Sequence, residues 1–253
     1  MLYSAVFIIL TFLNLRPVCD STIDKEDYPE VITAVLSNPY GVSRPELLPY
    51  IKIIWIIALV CGFVGYNRLF CLFGCVAMLL IGTFQSMADI PDWDFVWLVF
   101  NSVAMYFVAF YFAYEIWIQR NELSWKNIKK SRLWLLLFFP LLIWYPVAVE
   151  GNECKWDFSL QKLVHSESGA TFCYTAPTLM IILILNYPHV NRALFGTFTF
   201  VCSLFGIATI IIFSYRKMIP LVIMHIPLLV VSLYGYYLYF YGNEVSKEKT
   251  KEE

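Results

Sequence analysis

The apolar residues of this chain gather into seven long stretches between residue 49 and residue 242. We place the stretches at 49–67, 69–88, 94–118, 133–149, 170–187, 193–214 and 218–242. Each is close to the roughly 17–25 residues that an α-helix needs to cross about 30 Å of hydrocarbon. They are apolar on all sides, whereas a membrane β-barrel would alternate apolar and polar residues in segments of about ten residues. The pattern predicts an all-α, polytopic transmembrane helix bundle with about seven spans. A hydrophobic fraction of 60% agrees, since no water-soluble fold could bury all these stretches.

A shorter apolar segment, residues 5–15, precedes the first predicted span. It has only about eleven apolar residues and ends at Arg16-Pro17, so it is too short to span comfortably. It is typical either of a cleavable signal peptide or of a short signal anchor, and no Lys or Arg precedes the apolar core. The predicted organisation is this leader, an extracytoplasmic arm, a seven-helix transmembrane domain and a charged tail, over 1–21, 22–48, 49–242 and 243–253.

The charged loops predict an orientation, because Lys and Arg are retained on the cytoplasmic side of a membrane. The 119–132 loop carries five basic residues and one acidic residue, while residues 86–94 carry three aspartates and no base. We expect the basic loop and the tail in the cytoplasm and the acidic loop outside, in a secretory-pathway or plasma membrane. Arg216 and Lys217 then lie outside and break the rule, which a half-length fifth segment would also explain.

The cysteines indicate the compartment. Cys154 and Cys173 flank the predicted outer loop between the fourth and fifth spans. A disulfide between them would restrict a loop of roughly twenty residues in an oxidising compartment. We therefore predict this disulfide, although both residues would be free thiols if the orientation were inverted. Cys71 and Cys75 share a helix face but lack a supporting His or second Cys pair, so they predict packing and no metal site.

Few residues in the spans can carry chemistry, and we single out His225. It lies well inside the seventh predicted span. An ionisable group costs free energy at that depth and so marks a candidate site. It is either a proton acceptor or ligand contact, or a neutral imidazole bonded to a carbonyl of a neighbouring helix. In an enzyme, His225 or one of Asp89, Asp94 and Glu150 would act as acid or base.

Two further polar residues, Asn101 and Ser102, interrupt the third predicted span at mid-depth. Such side chains commonly bridge helices, for roughly 0.6 kcal/mol each. Together with His225 they are also candidates for a polar patch around a ligand. No cofactor is predicted.

One segment has a family resemblance. Residues 69–101, with Cys71-Leu72-Phe73-Gly74-Cys75 and Ala88-Asp89-Ile90, resemble the membrane portion of Popeye-domain proteins over about an eighth of the chain. In that family a soluble cyclic-nucleotide-binding β-roll follows, whereas four more apolar spans follow here. The resemblance therefore implies neither a ligand nor a site residue.

Three function classes remain open. Because the sequence contains few sets of residues that could act together in catalysis, it favours a non-catalytic subunit, assembly factor, receptor-like protein or binder of an apolar molecule. The partners would then be membrane lipids or another membrane protein. The alternatives are an intramembrane enzyme acting on a lipid or isoprenoid, and a small transporter, although no convincing internal repeat is visible. A formal net charge of −1 and sparse lysines argue against nucleic acid.

Overall fold

The computed structural model describes residues 17–252 except 20–22, 25, 151 and 152; side chains are not described at 150, 153 and 243–252. The predicted leader lies almost wholly outside these residues. The elements are β1 (Val18–Cys19), α1 (Tyr28–Ser37), α2 (Leu48–Val64), α3 (Asn67–Phe84), β2 (Met87–Ile90), β3 (Asp94–Trp97), α4 (Val99–Ile118), α5 (Phe139–Trp144), β4 (Val147–Glu150), β5 (Glu153–Trp156), α6 (Leu160–His165), α7 (Phe172–Asn186), α8 (Arg192–Tyr215) and α9 (Ile219–Glu252). Short 3₁₀ helices cover Tyr40–Val42, Pro45–Leu47, Trp125–Asn127 and Lys130–Phe138.

Five helical segments in the described part are long and apolar enough to cross a membrane. They are Pro45–Val64, Asn67–Phe84, Val99–Ile118, Arg192–Tyr215 and Ile219–Gly242. Since lipid offers no hydrogen bonds to the backbone, helices of this length and composition are what a bilayer requires. The chain is thus mostly helical, and its five apolar helices are those of a membrane protein.

The predicted count of seven spans is not confirmed, because two segments are built differently. The predicted fourth span, 133–149, runs from a 3₁₀ helix into the six-residue α5 and then into β4. The helix ends at Tyr145, which has a left-handed φ of 51°, and Pro146 cannot continue it. The predicted fifth span is α7, whose 15 residues rise about 22 Å, short of the roughly 30 Å of hydrocarbon.

The short helix α7 forms the centre of the bundle. All of its residues are buried, and it packs against α2, α3, α5, α8 and α9. A helix that is apolar on every face belongs in a core of this kind, because it has no side to offer to water. Four of the five long apolar helices, α2, α3, α8 and α9, therefore pack around α7.

Close helix pairs depend on glycines. A Cβ added at Gly74 of α3 would lie 2.6 Å from the ring of Phe112 in α4. A Cβ at Gly196 of α8 would lie 2.6 Å from the ring of Tyr239 in α9. Small residues allow the backbones to approach where lipid provides no hydrophobic drive for helix association.

One end of the bundle is covered by what we call the cap: α1, the antiparallel sheet β1-β3-β2 and the antiparallel hairpin β4–β5. Val31 and Val35 of α1 pack with Ala88 and Val96 of the sheet in a small separate core. In this sheet Ala88 pairs with Val96. Residues 94–98 therefore belong to the cap, and the third span begins at Val99, five residues later than predicted.

The opposite end of the bundle is closed by a buried polar network. Glu115, which is 2% exposed, accepts hydrogen bonds from the Asn121 backbone N–H at 2.5 Å and from the Asn191 side-chain amide. Asn191 also caps α8, because its Oδ1 accepts from the N–H groups of Ala193 and Leu194. A membrane-helix carboxyl is thus satisfied by neutral amides.

Candidate functional site

A cavity of about 170 Å³, the polar chamber, lies at the cap end of the bundle. Its walls come from the end of α3, the start of α4, α7 and α9, the last turns of α8, and the segment from Tyr145 to Thr171. The polar side chains that line it include Gln85, Asn101, Lys162, Glu167, Thr209 and His225. Sequence-distant polar residues thus meet beneath the cap.

His225 is a deeply buried ionisable group of the chamber, at 3% exposure. Its Nδ1 lies 2.7 Å from the backbone oxygen of Leu221, in its own helix. A carbonyl only accepts, so Nδ1 carries the proton and Nε2 is an acceptor in the neutral ring. The ring packs between Phe213, at 5.0 Å, and Tyr174, at 6.0 Å between centroids. Nε2 has no hydrogen-bond partner among the described residues, so it is available to a ligand.

Asn101 joins His225 in the chamber, while Ser102 does not. Since α4 begins at Val99, Asn101 lies in its first turn and not at mid-depth. Its side-chain amide makes no hydrogen bond to the residues that the structure describes. Ser102 is fully engaged, because its Oγ donates to the Gly82 oxygen at 2.5 Å and accepts from Trp97 Nε1 at 2.7 Å. Ser102 therefore bridges helices.

Glu167 and Lys162 are chamber residues that the sequence analysis passed over as parts of an outer loop. Burial raises the pKa of the Glu167 carboxyl, and the positive charge of Lys162 opposes that shift. The neutral carboxylic acid is thereby favoured relative to an exposed glutamate. No local sequence pattern distinguishes these two from solvated loop charges; only their position under the cap does.

Lys52, a third residue that the sequence analysis missed, holds in place the segment that carries Lys162 and Glu167. Its Nζ donates to the Ile143 oxygen at 2.9 Å, to Ser166 Oγ and to the Leu163 oxygen. The ammonium group, which is buried, thus uses all three of its donors. Lys52 ties α2 to α5 and to the segment that carries Lys162 and Glu167.

An apolar groove of about 380 Å³ lies beside the chamber. It is bounded by α1, the start of α4 and the 204–212 part of α8. Leu36, Asn101, Phe205 and Thr209 line both the groove and the chamber. The two cavities therefore share a wall; the chamber has a mixed polar and apolar lining, and the groove has a mostly apolar one.

Of the three carboxylates proposed as acids or bases, Asp89 and Asp94 are placed elsewhere. Asp89 accepts a hydrogen bond from the Tyr40 hydroxyl, which raises the pKa of Tyr40 to about 12. Asp94 is exposed, at the first residue of β3, with φ of 54°. Glu150 ends β4, and its side chain lies outside the described part. Neither Asp89 nor Asp94 shares the chamber with His225.

Asp89 lines a different cavity, together with two basic residues. Asp89 and Asp92 share this cavity with Arg216 and Lys217, at the turn between α8 and α9. The two bases that are exceptions under the predicted orientation therefore line the same cavity as the acidic loop of the cap.

The cysteines chosen for a disulfide are free thiols in the structure. Cys154 lies in β5 and Cys173 in the first turn of α7, where it lines the chamber. Burial raises the pKa of the Cys154 thiol. The predicted disulfide is therefore not confirmed. Among the described residues no group of three or more His, Cys, Asp or Glu side chains could hold a metal ion.

The chamber and the groove together form an amphipathic cavity. The polar end offers an acceptor and an amide that have no partner among the described residues, together with a carboxyl group, and the other end is lined mostly by apolar side chains. No protein family, curated protein or solved structure matches this chain. Its function is inferred from this geometry.

Proposed function

We propose that this protein binds one amphipathic, lipid-like molecule, with the polar head in the chamber and the apolar chain in the groove. The observation that carries this proposal is the wall shared by two cavities of opposite character. Ligand sites are generally concave and mostly apolar, with a few polar groups that fix orientation. The groove, at about 380 Å³, is within the usual 300–1,000 Å³ of such sites.

The surroundings of the groove favour a ligand that comes from the membrane. Two of the three elements that bound it, α4 and α8, are membrane-crossing helices. The apolar chain of a lipid that moves from the bilayer into the groove would remain in an apolar environment throughout. The head would then lie beneath the cap, near the first turns of the helices.

The orientation follows from the loop charges. With the basic 119–132 loop and the tail in the cytoplasm, the cap and the chamber lie on the extracytoplasmic side. The acidic residues near Arg216 and Lys217 support this placement, because they account for the exception to the rule. The protein would then receive its ligand from the outer leaflet.

Native mass spectrometry of the protein in nanodiscs, with lipid analysis of what co-purifies, tests the binding proposal. Ala208→Trp fills the groove with an indole, whereas Ile211→Trp adds the same ring at an exposed position of the same helix. We expect one retained lipid in the wild type and in Ile211→Trp, and loss of that lipid in Ala208→Trp. Equal lipid retention in all three proteins would refute the proposal.

An enzyme acting on the bound lipid is the second candidate, because a buried acceptor and a carboxyl with a raised pKa line one chamber. His225 would take a proton from the head group, and Glu167 in its acid form would donate one. His225→Gln separates the two candidates. If the protein only binds, the same head group co-purifies with this variant. If it catalyses, the variant accumulates a chemically different lipid, the unreacted substrate.

A further inference from the structure

We infer that the head group held in the chamber is an uncharged alcohol, whose hydroxyl donates a hydrogen bond to Nε2 of His225. The inference rests on the proposed lipid binding and narrows it to one chemical class, the long-chain or isoprenoid alcohols. Phosphate- and carboxylate-headed lipids should bind the site more weakly than the alcohol.

The tautomer of His225 sets the first requirement. Nδ1 donates to the Leu221 oxygen at 2.7 Å, so the neutral ring presents Nε2 as a pure acceptor. A fully ionised phosphate or carboxylate offers only acceptors, so it cannot donate a hydrogen bond to this nitrogen. The His225 residue is 97% buried, and its Nε2 has no partner among the described residues. Because an unmade hydrogen bond in a buried site costs free energy, this nitrogen calls for a donor on the ligand. A hydroxyl supplies one.

The charges of the chamber set the second requirement. Its lining contains one lysine, Lys162, and one carboxyl, Glu167, and no arginine among the described residues. Bound phosphate is typically held by arginine forks or by several positive charges. Here the single cation already lies close enough to Glu167 to affect its ionisation. An anionic head would therefore meet a single positive charge, Lys162, in the described lining of the chamber.

Asn101 supplies a second contact for a hydroxyl. Its amide is unpartnered among the described side chains, and it lines both the chamber and the groove. A hydroxyl has one donor and two acceptor lone pairs, so it can donate to His225 and accept from the Asn101 NH₂ group. Asn101 lies where the head of an amphiphile would meet its chain.

Three ligands with one chain test the inference: oleyl alcohol, oleic acid and oleyl phosphate. Binding of each to the full-length protein in nanodiscs is measured at pH 7.5 by native mass spectrometry. We expect the alcohol to bind at least about tenfold more tightly than the phosphate or the acid. His225→Phe keeps a ring between Phe213 and Tyr174 but removes the acceptor, and we expect about tenfold weaker alcohol binding. His189→Phe, at an exposed histidine of the opposite end, should bind as the wild type does.

The outcomes separate the two proposals. Tighter binding of the phosphate or the acid, or equal binding of all three ligands, would overturn the alcohol assignment and leave lipid binding intact. No binding of any ligand, with a chamber that holds only water, would overturn both. The ranking in the wild type needs no variant, so the test remains valid if His225→Phe fails to fold. If His225→Phe folds and binds the alcohol as tightly as the wild type, the contact to Nε2 is wrong.

Discussion

Asn191→Ala should destabilise the bundle strongly, because this side chain has two separate roles at the end opposite the cap. Its Oδ1 caps α8 by accepting from two backbone N–H groups, at 2.9 Å and 3.3 Å. Its amide N–H donates to the buried Glu115 carboxyl. Alanine removes both interactions and leaves one carboxyl oxygen of Glu115 without that donor.

The magnitude follows from the two parts. Loss of an N-cap side chain costs about 0.5–2 kcal/mol. Loss of a hydrogen bond to a charged or buried acceptor costs about 1.5–3 kcal/mol. We therefore expect the free energy of unfolding to fall by about 2–5 kcal/mol, where an exposed Asn38→Ala control should change it by less than about 0.5 kcal/mol.

Asn191→Asp distinguishes the two roles. Aspartate caps a helix as well as asparagine does, but it has no N–H for Glu115 and places a second carboxyl beside it. Unfolding of all variants is followed by denaturant titration in bicelles. The structure predicts that Asn191→Asp is at least as unstable as Asn191→Ala. Wild-type stability of Asn191→Asp would show that only the cap matters and would refute the buried network.

Three further predictions concern other parts of the bundle. Lys52→Met should lower the free energy of unfolding by about 2–3 kcal/mol, because the loss of three hydrogen bonds outweighs the gain from no longer burying an ammonium group. An unchanged free energy of unfolding in bicelles would contradict the role assigned to Lys52. Gly74→Ala should lower the free energy of unfolding by about 1–3 kcal/mol, because the new Cβ would lie 2.6 Å from the Phe112 ring. Gly41→Ala should lower it by less than about 0.5 kcal/mol, because the nearest atom to its new Cβ is 3.6 Å away. Equal denaturation midpoints for the two variants would refute this prediction. Alkylation of the unfolded protein without reductant should label both Cys154 and Cys173, as free thiols require; labelling that appears only after reduction would restore the disulfide.

The membrane character of the chain could be predicted because it depends on local transfer free energies. Windows of Leu, Ile, Phe and Val identify the five long helices wherever the fold places them. The same windows failed at 133–149, where hydropathy is high but the backbone leaves the α-helix at Tyr145-Pro146. They also could not show that α7 is central, since burial within protein and burial within lipid select the same residues.

The candidate site could be predicted only in part. His225 and Asn101 were recognisable as polar residues in apolar stretches, but their meeting in one chamber depends on how α4 and α9 pack. Lys52, Glu115 and Glu167 were missed because their partners are backbone groups, amides and a cap that are distant in sequence. Asp89 and Asp94 were chosen for their charge, and the structure places both in the cap.

Photolabelling tests the shared cavity most directly. An oleyl alcohol analogue with a diazirine midway along its chain is activated in nanodiscs that contain the wild-type protein, and the labelled peptides are mapped. The proposal predicts label within 98–101 and 204–212, which excess unlabelled oleyl alcohol prevents. Label confined to exposed residues such as Ile53 and Ile57 of α2, and unaffected by that competitor, would show contact with bulk lipid and contradict the account.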